Sequence, residues 1–269
     1  DCAEKEPNLP PQAYIDRVKM RGGMGFIAHP DHTGAPLFHV KHYPWIDWSV
    51  AGYAGMGIWD FMTDWQSGLS SPLRALMGYA FPALLLRGPL PQTFARWDRL
   101  TQERRVVGIG ELDNHNSLRR HWGIPVSVFP FGRVFNLIRT HVVIEKPLSG
   151  DGRSDIATIL EALRRGRAYV SLDHFQPAKG FSLILEADGG PYTLGDEAVL
   201  RHTAEFRVRC PHRARIRLIR NGILFHECNA DAFRITVQEP GVYRVEADLK
   251  AFGRYRPWIY SNPIYLIRP

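Results

Sequence analysis

From Pro11 to Arg21 the chain sets Tyr14, Ile15 and Val18 at helical spacing and stops at Gly22-Gly23, and the apolar run MGFIAH follows directly. Helix, double glycine and buried strand form the αβ half of an α/β repeat. Residues 31–56 read as a long loop rich in Pro, Gly, His and aromatic residues, and GIWDF (57–61) as the next strand. SPLRALMGYAFPALLL is a mostly apolar helix interrupted at Pro82, PQTFARWDRLTQER (91–104) an amphipathic helix, and VVGIGELD (106–113) a buried strand. VFNLIRTHVVIE (134–145) is strand-like, SDIATILEALRRG (154–166) a helix with Ser154 as N-cap and Gly166 as terminator, and AYVSLD closes the series. This alternation predicts α/β architecture with a parallel sheet or barrel.

After about residue 176 the helical period disappears. FSLILEA, EFRVRC, RIRLIRNGILFHE, FRITVQ, GVYRVEADL and NPIYLI are short, partly alternating runs separated by turn residues, which predicts an antiparallel β-sandwich. Asn221-Gly222 is the strongest hairpin signal, because both residues tolerate the positive φ of a type I′ turn. The expected organisation is therefore an α/β segment over 1–176 and a β-domain over 177–269. A length of 269 residues fits two domains at about 150 residues each.

Composition narrows the function classes. Hydrophobic residues make up 45% of the chain, enough for a substantial core, and 34 Lys+Arg against 27 Asp+Glu leave a formal +7. The excess is spread out, so its simplest role is a solvated surface, with small anionic, phosphate-bearing ligands next and nucleic acid, for which no module is present, last. Cys2, Cys210 and Cys228 show no CxxC spacing; reduced thiols in a cytoplasmic setting are the simple reading, with secretion and a Cys210–Cys228 bridge left open. The longest apolar run, residues 75–86, is shorter than the roughly 20 residues of a spanning helix and contains Pro82.

Two strands of the α/β part end in potential ligands: FIAHPDH in His29 and then His32, GIGELDNH in Asp113 and His115. The C-terminal ends of parallel strands meet on one rim, so residues more than eighty positions apart can share a site. Imidazole nitrogens and a carboxylate are ligands for zinc, manganese or iron. Spacing alone leaves each open to a structural role, since D-x-H is a common string. Asp60, at the end of GIWD, faces the same rim as a partner orienting a ligand, a helix N-cap or a loop residue.

GGMGFIAHPDH, RWDRLTQERRVVGIGELDNHN, LRRGRAYVS, and GVYRVEADL with PWIYSNPIYL, in this order, resemble the polymerase and histidinol phosphatase (PHP) family of metal-dependent phosphoesterases, in the branch with a trailing β-domain. The resemblance implies a distorted, TIM-like β/α barrel with two or three divalent metal ions on its rim. It also implies hydrolysis of phosphate esters or related esters, with His29, Asp113 and His115 as metal ligands. Glu111 stands where the family has a small residue, and its strand alternation turns it away from the neighbours of Asp113. His32 joins Asp60 and Glu111 as a supporting or substrate-contacting group. The family's His-x-His strand has no counterpart here, so the expectation is a chain matching only the C-terminal half of the barrel, truncated at its N-terminus, with weak activity and self-association. A reading from another class is a non-catalytic binding protein that uses the aromatic loop YPWIDWSVAGY (43–53). Upstream sequence carrying His-x-His would separate the two.

Overall fold

The computed structural model describes residues 9–121 and 124–269. Helix α1 (Pro11–Met20) leads into a parallel sheet of β1 (Phe26–Ile27), β2 (Gly55–Asp60) and β3 (Val107–Glu111), in that spatial order. Between β2 and β3 lie α2 (Phe61–Ser67), α3 (Pro72–Ala80), α4 (Pro82–Leu85) and α5 (Pro91–Glu103). Pro11, Pro72, Pro82 and Pro91 each open a helix, where a missing N–H breaks no intrahelical bond. The break at Pro82 falls as expected. Helix α2 has no legible period because its first six residues are all buried.

Next come a hairpin of β4 (Ser117–His121) and β5 (Ile124–Val128), the short helix α6 (Phe131–Val134), β6 (Ile138–Val142), α7 (Gly152–Arg165) and β7 (Ala168–Leu172). Asp151, not Ser154, caps α7: its side chain accepts the Ser154 N–H, while Gly166 ends the helix at φ 79° as expected. The remaining strands are β8 (Ser182–Ala187), β9 (Gly190–Thr193), β10 (Glu197–Val199), β11 (Ala204–Arg220), β12 (Ile223–Val237), β13 (Gly241–Ala251), β14 (Arg254–Ser261) and β15 (Ile264–Ile267).

The chain is thus mixed α/β with a large, mainly antiparallel sheet. Its parallel part is confined to β1–β3, plus the β10–β15 pair. β6 and β7 pair antiparallel, β7 pairs antiparallel with β14, and through that contact both enter the ten-stranded sheet ordered β6-β7-β14-β13-β11-β8-β9. The sequence predicted both as members of a parallel series. A strand buried along its whole length, as β7 is, reads as an uninterrupted apolar run whatever its direction. Apolar residues gather in two clusters, one around Trp59, Trp97 and Phe129 beside the parallel sheet, the other around Phe206, Tyr243 and Trp258 within the β-rich part.

Asn221 (φ 51°) and Gly222 (φ 80°) form the expected two-residue turn between β11 and β12. The tip is also a docking point: a Cβ on Gly222 would lie 3.1 Å from the Asp98 Cβ on α5. Asp98 in turn takes a bidentate pair from buried Arg244 on β13, at 2.6 and 2.8 Å. Cys210 and Cys228 are free thiols, and burial pushes the Cys210 thiol up to about 12. Cys2 lies outside the described residues. Among the described residues no helix is long and apolar enough to cross a membrane.

The parallel sheet meets the large sheet along the outer edge of β3. There the Asn262 side chain accepts the Gly108 N–H (2.7 Å) and donates to the carbonyls of Gly108 and Ala168 (2.9 Å each), fully buried. Asn262→Leu keeps much of the volume and leaves these backbone groups unpaired. Urea unfolding is expected to show a loss of about 3 kcal/mol or more; a loss below about 1 kcal/mol would mean that the joint is held by packing alone.

Candidate functional site

Because β1, β2 and β3 run parallel, their C-terminal ends deliver His29, Asp60, Glu111 and Asp113 to one edge of the sheet. Asp60 stands in register with Glu111. His29 and Asp113 follow their strands with left-handed backbones, φ 29° and 44°. Non-glycine residues are uncommon there, and such conformations collect at functional sites.

Glu111 is the hub. Its side chain crosses β2 and accepts the His29 backbone N–H at 2.8 Å. The crossing depends on Gly57, since a Cβ there would overlap the Glu111 carboxylate. Glu111 turns toward β1, its carboxylate lying over Gly57 of β2, and the charge of Asp113 still reaches it. Burial pushes Glu111 from its ordinary 4.5 up to about 8; the His29 N–H holds it back in part, and the charges of Asp60 and Asp113 add to the rise. Burial likewise raises Asp60 to about 6, against the lowering effect of Thr63 and with a further push from Asp113.

Asp60 also caps α2, its Oδ2 accepting the Thr63 N–H at 2.7 Å. Its other oxygen has no hydrogen-bond partner, and neither have His29 Nδ1 and Thr63 Oγ1, all three buried. These three residues line one cleft of about 20 Å³, with Asp31, Asp64 and Thr93 also on its wall. That is room for about one water-sized species. Asp64 and Asp31 are already committed: Asp64 accepts Trp59 Nε1–H and the Arg87 and Gly88 amides, and Asp31 accepts Thr93 Oγ1–H and Arg96. Unpaired buried polar atoms are rare and call for a water or an ion.

The other sequence candidates fall outside that cleft. His115 pairs with Asp113 (Nε2 to Oδ1, 3.1 Å), but its side chain is 74% exposed. The structure therefore joins it to Asp113 and to no other predicted ligand. His32 is buried, its Nδ1 accepting the Tyr43 N–H at 3.1 Å and its ring 5.4 Å from that of His29. Burial, then the neighbouring His29, lower its pKa. The asparagines flanking His115 are anchors: Asn114 donates to the Phe129 carbonyl (2.9 Å), and Asn116 accepts from Ser127 Oγ (2.5 Å). Nothing in the sequence spacing marked Gly57, because its partner Glu111 is remote in the chain.

The donor set, imidazole and carboxylate, suits a divalent cation in kind. Among the described residues, however, no three His, Cys, Asp or Glu side chains are gathered into a ready coordination group. No family model matches the chain, and no curated protein matches its sequence.

The pKa of Glu111 makes stability depend on pH. A carboxyl whose folded value is raised binds its proton more tightly in the native state, so stability falls as pH rises from the ordinary 4.5 toward about 8 and levels off above. Glu111→Gln keeps an acceptor for the His29 N–H and removes the titration. Its stability relative to the parent is expected to climb between pH 5 and 8, by on the order of a few kcal/mol. Parallel urea midpoints for the two proteins over that range would contradict the assignment.

Proposed function

We propose that the chain is a metal-dependent hydrolase of the PHP phosphoesterase type, cleaving phosphate esters or related esters, with its α/β part as a segment of a PHP-like barrel. One observation carries this reading. Several other acids are closed off by guanidinium groups: Asp98 by Arg244, Asp248 by Arg215 and Arg217, Asp173 by Arg139, and on the cleft wall itself Asp31 by Arg96. In a chain with 34 Lys+Arg, the cluster of Asp60, Glu111 and Asp113 has no Lys or Arg ion pair among the described residues. Two carboxyls, Glu111 and Asp60, that burial and neighbouring negative charge push toward neutrality, beside an imidazole nitrogen without a partner, make a site in want of a cation.

His29, Asp60 and Asp113 are the residues that would hold it. A divalent ion there would supply Lewis-acid polarisation of an ester oxygen and a lowered pKa for water. The chain's own groups do the positioning. The Thr63 N–H fixes one Asp60 oxygen and leaves the other to the cleft. Glu111 holds the His29 backbone in its left-handed turn. Asn114 and Asn116 fix the loop that presents Asp113, and His115 stands at the solvent side of Asp113, where a substrate would arrive.

Titration calorimetry with manganese or zinc at neutral pH, repeated in two buffers of different ionisation enthalpy, is expected to show binding with proton release, since a cation beside Glu111, whose carboxyl is raised to about 8, favours its ionised form. Hydrolysis of bis(p-nitrophenyl) phosphate is expected to require the added ion and to fall by about a hundredfold or more in Asp60→Asn and Asp113→Asn. Turnover indifferent to metal, or unchanged in both variants, would overturn the proposal.

A further inference from the structure

Helix α3 leaves its apolar face uncovered. Leu73, Leu76 and Met77 are 69%, 65% and 46% exposed, and Phe81, one turn on, is 55% exposed. Their spacing puts them on one stripe of the helix. Single exposed apolar residues need no explanation, but a contiguous group marks a surface that meets something.

The stripe continues onto neighbouring elements. Arg133 of α6 donates to the Tyr79 and Ala80 carbonyls at the end of α3, 2.7 Å each. The rings of Phe131, which opens α6, and Phe135, which caps its C-terminus, stack at 5.9 Å and are both exposed. Tyr79 Oη donates to the Ser127 carbonyl on β5, and Ser127 is paired in register with Leu118 of β4, itself 68% exposed. These contacts tie helix, short helix and hairpin together, and the three elements with their flanking residues bear seven exposed large apolar side chains.

The charge there is one-sided. No Asp or Glu occurs from residue 65 to 97 or from 114 to 144, the two stretches that build these three elements. The same stretches carry exposed Arg74, Arg120 and Arg133. Apolar side chains flanked by guanidinium groups and free of carboxylates match the boundary between acyl chains and anionic headgroups. A second copy of the chain fits poorly, since a two-fold contact through this face would set arginine against arginine with no acid to relieve it.

We infer that this face docks the protein on anionic lipid surfaces, with α3 and α6 lying in the interface and the arginines at headgroup level. Co-sedimentation with vesicles tests it. Binding is expected with equal parts phosphatidylcholine and phosphatidylserine at low salt, weaker at high salt, and much less with phosphatidylcholine alone. Arg74→Gln should lower partitioning about fivefold, the effect of removing one basic residue near a charged membrane. Leu76→Asp should lower it by about tenfold or more, with an unchanged circular dichroism spectrum because the side chain is already in solvent. No pelleting with phosphatidylserine vesicles overturns the inference, as does equal pelleting with both compositions or binding indifferent to both variants. Light scattering that shows a dimer dissociated by Leu76→Asp would assign the face to self-association instead, and would equally overturn it.

Discussion

The outer edge of β3 carries backbone N–H and C=O groups that no strand pairs, and a buried edge of that kind must find partners elsewhere. Side chains supply them. Asn262 takes both groups of Gly108, and Thr140 Oγ1 accepts the Gly110 N–H at 2.9 Å. The close approach requires a glycine at 110, where a Cβ would meet Ile138 and Val170 of the large sheet; a Cβ at Gly108 would instead meet Trp97 of α5 and Ile58 of β2. Of the alternating glycines of GIGELD, one therefore packs the joint between the two sheets and the other packs the parallel sheet on its own helix. That joint fixes the end of β3, from which Glu111 reaches His29 and Asp113 enters its left-handed turn.

The two kinds of buried acid show how the same residue type serves different ends. Asp98 is closed off by Arg244, whose guanidinium also lies 4.6 Å from the ring centre of Phe94 and ties the β-rich part to α5. Asp173 lies in a desolvating setting that alone would raise its pKa, yet bonds from His141, Ser171 and the Ala178 N–H hold it down to about 2. These are satisfied charges, and their work is structural. Glu111 and Asp60, pushed upward by burial without a cation beside them, are the opposite case. Asp64 is raised by burial to about 6 in the same way but spends its oxygens on Trp59 and the Arg87 and Gly88 amides, so what marks the rim is an acid raised by burial beside polar atoms left unpaired.

How much was legible follows from the range of each signal. The helices at 11–20 and 91–103, the break at Pro82, the end at Gly166 and the Asn221-Gly222 turn are written in residues a few positions apart, and the structure has them where the periodicity put them. Helix α2 and the β4–β5 hairpin were not legible, the first because burial on all sides erases its period. The rim position of His29 and Asp113 was legible from strand order, whereas the exposure of His115 and the burial of His32 were not, because each depends on which loop packs over it.

By itself, the sequence determined the local elements and which strand ends carry imidazoles and carboxylates, since turns, caps and alternation are short-range consequences of φ preferences and side-chain period. Tertiary structure alone decided strand direction in β6 and β7, the pairing of Asn262 with Gly108 across 154 positions, and the route of Glu111 over Gly57. An apolar run does not record the direction of its neighbour, and a hydrogen bond between remote residues leaves no period in the chain. The electrostatic character of the site belongs to the same class, because desolvation is a property of what surrounds a carboxyl and not of the residues beside it in sequence.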